Sequence, residues 1–182
     1  MKRRLLCGLL LLLLAPNAWA HRLDECLQAV RISVATNRID LSVDLTPGVA
    51  VADQLLVVID KDRDGRISDD EGAAYARRVL QDLHLGLDEK ILTASLEDVS
   101  FPTLQDLKHG RGVIRIQAHA PVGPLAAGKH ILTLTNAHLP AISVYLVNAL
   151  VPKDAALKIQ KQTRDELQTN YRLEFSVSSS MP

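Results

Sequence analysis

The feature that most restricts how this chain can fold is a period of two. Ile39, Leu41, Val43 and Leu45 alternate with Asp40, Ser42 and Asp44, and Val30, Ile32 and Val34 alternate with Arg31 and Ser33. Successive side chains of a strand point to opposite faces, so this pattern sends one apolar face into a core and one polar face into water. Thr36 and Asn37 between the two runs supply a turn, which makes the pair a predicted hairpin. Further short strands are predicted at 85–87, 90–96, 113–120, 129–136, 144–151, 156–161 and 171–177. Short strands punctuated by turn residues predict a mainly β chain, an immunoglobulin-like or jelly-roll antiparallel sandwich.

The alternation stops at Pro47-Gly48 and gives way to a different pattern. Residues 49–59 are apolar enough for a buried strand or a short helix; a helix is expected, because the segment that follows needs one leading into it. That segment, Asp60-Lys-Asp62-Arg-Asp64-Gly65-Arg66-Ile67-Ser68-Asp-Asp-Glu71, fills every slot of a twelve-residue EF-hand calcium loop. Calcium is a hard cation that takes six to eight oxygens at about 2.3–2.6 Å. The predicted ligands are Asp60, Asp62, Asp64, the carbonyl of Arg66, Ser68 through a water, and Glu71 in bidentate fashion. Gly65 supplies the φ > 0 residue of the sharp turn, and Ile67 ties the loop to a neighbour. Ser68 and Glu71 also have the spacing of a capping box that opens a helix. Ala76, Val79, Leu80 and Leu83 then recur as one buried stripe, with Gly86 as the expected stop. The chain thus predicts one helical EF-hand insertion at about 49–84, between the second and third strands. There is no second Asp-x-Asp-x-Asp-Gly, so the loop has to brace against the sandwich, pair with another subunit, or bind weakly.

The first twenty residues read as an address. Lys2, Arg3 and Arg4 precede an apolar core from Leu5 to Leu14, and Ala18-Trp19-Ala20 forms a small-x-small cleavage site. Ten apolar residues fall short of the roughly twenty that span a bilayer, and Cys7 lies inside the apolar core, where a lipoprotein signal would not place it. The expectation is a signal peptide at 1–20 cut after Ala20, a single β-sandwich domain at 21–178, a disordered tail at 179–182, and a periplasmic or secreted product. Cleavage removes three basic residues from a chain with 21 charges of each sign, leaving a net charge of −3. No basic surface for nucleic acid is implied, and no apolar run after residue 20 is long enough for a membrane span. Cys26, alone in that mature chain, is expected as a small buried hydrophobe, with an intermolecular bridge as the alternative.

Four stretches carry a likeness: His21-Arg-Leu-Asp-Glu-Cys-Leu-Gln-Ala, Asp44-Leu-Thr-Pro-Gly-Val-Ala-Val-Ala, Asn136-Ala-His-Leu-Pro and Ser143-Val-Tyr-Leu-Val-Asn-Ala-Leu-Val-Pro. Through them the chain resembles a group of secreted bacterial EF-hand domain-containing proteins. It is also similar to the extracytoplasmic domain that precedes the membrane helices of some nickel-permease-like accessory proteins of hydrogenase and urease. The resemblance implies a signal peptide, a soluble domain and an EF-hand, and it suggests a link to nickel or another transition metal.

The six histidines, His21, His84, His109, His119, His130 and His138, all follow the cleavage site. Imidazole is a common transition-metal ligand, and a cleaved His21 offers its α-amine and its ring together. No two histidines have H-x-H or H-x-x-x-H spacing. Hydrolase, zinc-protease, phosphate-loop and dinucleotide motifs do not occur, so no enzyme is expected. The first expectation is a calcium-binding extracytoplasmic module in which Ca²⁺ is structural. The alternative is a copper or nickel carrier, or an accessory domain of a metal transporter, using His21. An envelope protein as partner is a third role.

Overall fold

The computed structural model describes residues 24–179. The expected signal peptide, His21 and residues 180–182 of the expected tail lie outside the described residues. The elements are β1 (Cys26–Val34), β2 (Arg38–Pro47), α1 (Val49–Ile59), α2 (Asp69–Gln81), β3 (Leu83–Leu87), β4 (Lys90–Leu92), β5 (Ser95–Ser100), α3 (Leu104–Lys108), β6 (Ile114–Pro121), β7 (Gly128–Asn136), β8 (Ser143–Ala149), β9 (Leu157–Arg164) and β10 (Asn170–Val177).

Alternation in the sequence becomes alternation in burial. Along β2 the apolar residues Ile39, Leu41, Val43 and Leu45 are buried, while Asp40, Ser42 and Asp44 between them are not. β1 pairs with β2 antiparallel, Val34 opposite Ile39 at the turn and Cys26 opposite Pro47 at the far end. The first sheet runs β5-β6-β2-β1-β8 and the second β4-β3-β7-β10-β9. Their inner faces, Ile32, Leu41 and Ile116 from one and Leu132, Leu173 and Phe175 from the other, belong to one hydrophobic core. The molecule is a mainly β sandwich of two antiparallel-rich sheets. Each fully buried Leu, Ile or Phe contributes on the order of 1.5–3 kcal/mol against exposure. Cys26 is free and fully buried, and burial pushes its thiol up to about 12.

Four local expectations change. First, β8 pairs parallel to β1, with Cys26 opposite Ser143, so the first sheet is not purely antiparallel. Second, the strand expected at 90–96 is two strands, β4 and β5, which end in different sheets with Thr93 and Ala94 between them. Third, α2 stops at Gln81 and not at Gly86. Leu83 and Gly86 belong to β3 instead, where pairing with β7 satisfies backbone groups that a longer helix would have used internally. Fourth, α3 is an unforeseen single turn; Thr103 caps it by accepting from the Asp106 N–H.

The helical segment lies where expected, between β2 and β3. α1 buries Val51, Ala52, Leu55, Leu56 and Ile59. α2 buries Gly72, Tyr75, Ala76, Val79 and Leu80 and packs along β5. Gly72 allows a close approach: a Cβ there would sit 2.8 Å from the Phe101 ring. Beside α2, between the free edges of β4 and β5, an open groove of about 1510 Å³ runs from Ile67 to Ile91. On the opposite side of the sandwich β8 and β9 are the edge strands. There Arg164 Nε donates to the Val147 carbonyl (2.8 Å) and the Ala149 N–H donates to Gln162 Oε1 (3.2 Å), so side chains from β9 cover the outer edge of β8.

Candidate metal centre

The loop between α1 and α2 is shaped by its own carboxylates. Asp60 closes α1, its N–H donating to the Leu56 carbonyl, and the chain then turns through two left-handed residues, Arg63 (φ 61°) and Gly65 (φ 80°). Glycine adopts that conformation freely, whereas an arginine there needs local support. Support comes from short-range hydrogen bonds in which side chains hold backbone N–H groups. Asp62 Oδ1 accepts from Asp64 N (3.1 Å), Asp60 Oδ2 from Gly65 N (3.2 Å), and Asp64 Oδ1 from Arg66 N (2.8 Å).

Glu71 joins the two ends of the loop. Its Oε1 accepts from the N–H groups of Lys61 (2.7 Å) and Asp62 (3.4 Å), and its Oε2 from the N–H (3.0 Å) and the hydroxyl (2.8 Å) of Ser68. In return Ser68 Oγ accepts from the Glu71 N–H, completing the capping box at the start of α2. Donors aimed at a carboxylate stabilise its charged form. The Ser68 N–H does so most, followed by the Ser68 hydroxyl and the Lys61 N–H, and Glu71 is held down at about 2.

Carboxylate oxygens of Asp60, Asp62 and Glu71 converge to within 4.8 Å of one another, a group able to hold a metal ion. One oxygen of these residues, Asp60 Oδ1, is buried and has no hydrogen-bond partner, a state shared among the described residues by Asp44 Oδ1 and His119 Nδ1. A buried acceptor without a partner is costly, and native structures rarely leave one so. Three of the six residues predicted as ligands are therefore brought together. Asp64 stays outside the group, occupied with Arg66 N; Arg66 is exposed; Ser68 spends its hydroxyl on capping and on Glu71. The backbone N–H groups of Lys61 and Asp62, which hold Glu71 in place, have no signature in a side-chain pattern.

The described histidines are dispersed. His119 Nδ1 lies 3.0 Å from Glu97, His130 is buried between Asp88 and the Ala126 carbonyl, and His138 is fully buried between Asp82 and Tyr75. Among the described residues, the acidic triad is the one cluster of His, Cys, Asp or Glu with metal-binding spacing. No helix among them is long and apolar enough to cross a membrane. No protein-family model, curated protein or solved structure matches the chain.

Proposed function

We propose that this protein is a calcium-binding extracytoplasmic module in which Ca²⁺ fills the Asp60–Glu71 loop and serves as a structural staple. α1, the loop and α2 are then an EF-hand inserted into an immunoglobulin-like or jelly-roll sandwich. The ion draws on Asp60, Asp62, Asp64, the Arg66 carbonyl, Ser68 through water, and Glu71. The observation that carries this reading is the unpartnered, buried Asp60 Oδ1 beside Asp62 and Glu71. A hard cation would complete that oxygen and offset the repulsion of three close carboxylates, and an all-oxygen donor set suits calcium more than copper or nickel. The dispersed histidines give the copper or nickel alternative no support among the described residues. No catalytic step is assigned.

A staple is favoured over a sensor by composition and packing. Calcium sensors open to expose a methionine-rich groove, whereas the segment from Val49 to Gln81 contains no methionine. Its helices are instead sunk into the core by Leu55, Ile59, Tyr75 and Val79. The N-terminal segment, read as a signal peptide, would deliver the domain where calcium is plentiful, and dissociation constants of about 10⁻⁴–10⁻³ M serve there.

The test is thermal unfolding with millimolar Ca²⁺ against chelator, on wild type and on Glu71→Gln. At calcium a hundredfold above Kd the folded state gains about 2.7 kcal/mol, a rise of about 5–10 °C in Tm for a chain of this size. Glu71→Gln should lose that rise. A wild-type Tm indifferent to calcium would refute the reading.

A further inference from the structure

Far from the loop in sequence, α2 is held by a buried histidine. His138 is fully buried, and each ring nitrogen meets one group of the helix. Nδ1 lies 2.8 Å from Oδ2 of Asp82, the residue that caps the end of α2, and Nε2 lies 3.0 Å from the Tyr75 hydroxyl. The sandwich fixes the histidine from behind. Its N–H donates to Asn136 Oδ1, and its carbonyl accepts from Gln28 Nε2 and from the Tyr145 hydroxyl. The backbone of His138 is thus anchored to the sandwich, and the helix is latched onto its ring.

The partners set the proton positions. A carboxylate only accepts, so Nδ1 carries the hydrogen and donates to Asp82; Nε2 then accepts from the Tyr75 O–H. A second proton on Nε2 makes it a donor and turns the Tyr75 hydroxyl hydrogen away. That hydroxyl is buried, and Nε2 is its single hydrogen-bond partner, so the displaced hydrogen is stranded unless the helix turn bearing Tyr75 moves off. Glu71 lies four residues before Tyr75 on the same helix, hence on the same face one turn away.

We propose that His138 is a proton-operated latch on the metal loop: protonating its ring releases Tyr75, loosens the helix that carries Glu71, and so sets acid against calcium. This rests on calcium being the ligand of Asp60, Asp62 and Glu71. The groups around the ring agree with it. Burial disfavours the imidazolium most and the charge of Arg78 adds to that, while Asp82 works the other way; the balance lowers the His138 pKa from the ordinary imidazole value. The other titratable neighbours, Tyr75, Tyr145 and Cys26, all have raised pKa values, chiefly through burial, and stay protonated. Coupling is reciprocal: bound calcium must lower the proton affinity of His138 as much as protonation weakens calcium.

The experiment is calcium titration against a chromophoric chelator at about pH 7.5 and about pH 5.5, where exposed carboxylates remain ionised. The wild-type Kd should rise about fivefold or more at the lower pH, the usual size of a coupling between two sites. His138→Gln, which leaves every other described histidine in place, should flatten that dependence. Should the variant not fold, the wild-type His138 ring resonance reports instead, its titration midpoint falling when calcium is added. A Kd unchanged with pH, a pH dependence surviving in His138→Gln, or a ring midpoint unmoved by calcium would overturn the latch while the calcium reading stands. Absence of calcium binding at about pH 7.5 would overturn both.

Discussion

At the scale of single residues, the decisive property is how many donors a side chain meets. Glu71 meets four and is held at about 2, whereas Asp60 keeps one oxygen that meets none. The two buried histidines divide in the same way. His130 has an acceptor at each nitrogen, Asp88 Oδ2 at Nδ1 (2.6 Å) and the Ala126 carbonyl at Nε2 (2.8 Å), so the protonated ring can donate from both nitrogens. Burial pulls its pKa down, but these two acceptors prevail and raise it above 6.5. His138, facing one acceptor and one hydroxyl, is lowered below 6.5. Linkage fixes the signs. Stability from His130 is fully present below the unfolded imidazole value and is lost as pH rises through its higher folded one. Stability from a neutral His138 is present above the unfolded value and is lost as pH falls through its lower folded one. Ring-resonance titration should find the two midpoints on opposite sides of 6.5; midpoints on the same side would contradict one of these environments. None of this was legible in the sequence beyond the identity of the loop residues. Tyr75 and Asp82 lie 63 and 56 positions from His138, and no local pattern announces a partner at that separation.

At the scale of elements, α2 links the candidate centre to the sandwich, and Gly72 sets how closely it lies. Replacing a helical glycine by alanine ordinarily gains about 1 kcal/mol from propensity. Here the added methyl would meet the Phe101 ring, itself packed 6.3 Å from Tyr75, and overpacking of that kind costs about 1–3 kcal/mol. Gly72→Ala should therefore lower the chelator-treated Tm in place of raising it; a clear gain would mean that the ring moves aside freely. Helix and strand legibility follows from the strength of local signals. The capping box placed the start of α2, the apolar stripe overran its end because Leu83 belongs to β3, and alternation placed β1, β2 and β10. The break between β4 and β5 was missed because Thr93 and Ala94 contain no glycine or proline to mark it. The chain turns just before it instead, at Asp88 (φ 48°) and Glu89 (φ 67°), sending β4 back along β3.

At the scale of the whole molecule, a sandwich was legible because alternation fixes which faces meet. The strand order was not, since pairing β1 with β8 joins segments far apart in the sequence and leaves no local trace. The core is one hydrophobic cluster drawn from both sheets. Phe175 is 1 % exposed, sits in the second sheet and stacks on His130 at a centroid distance of 5.4 Å. Phe175→Ala should cost about 3–5 kcal/mol in denaturant unfolding with a single transition; a two-step curve would show that the sheets unfold separately. The closed outer edge of β8 has its own consequence for self-association. Growth by strand-to-strand contact into a fibre requires two open edges on every subunit. Arg164 and Gln162 occupy one side, and among the described residues no comparable side-chain cap reaches β5, whose edge carries Glu97, Asp98 and an irregular register at Leu96/Asp98. Within the first sheet β5 is then the one uncapped edge, so a second molecule joining there uses it up, and strand-to-strand contact through that sheet closes as a twofold pair.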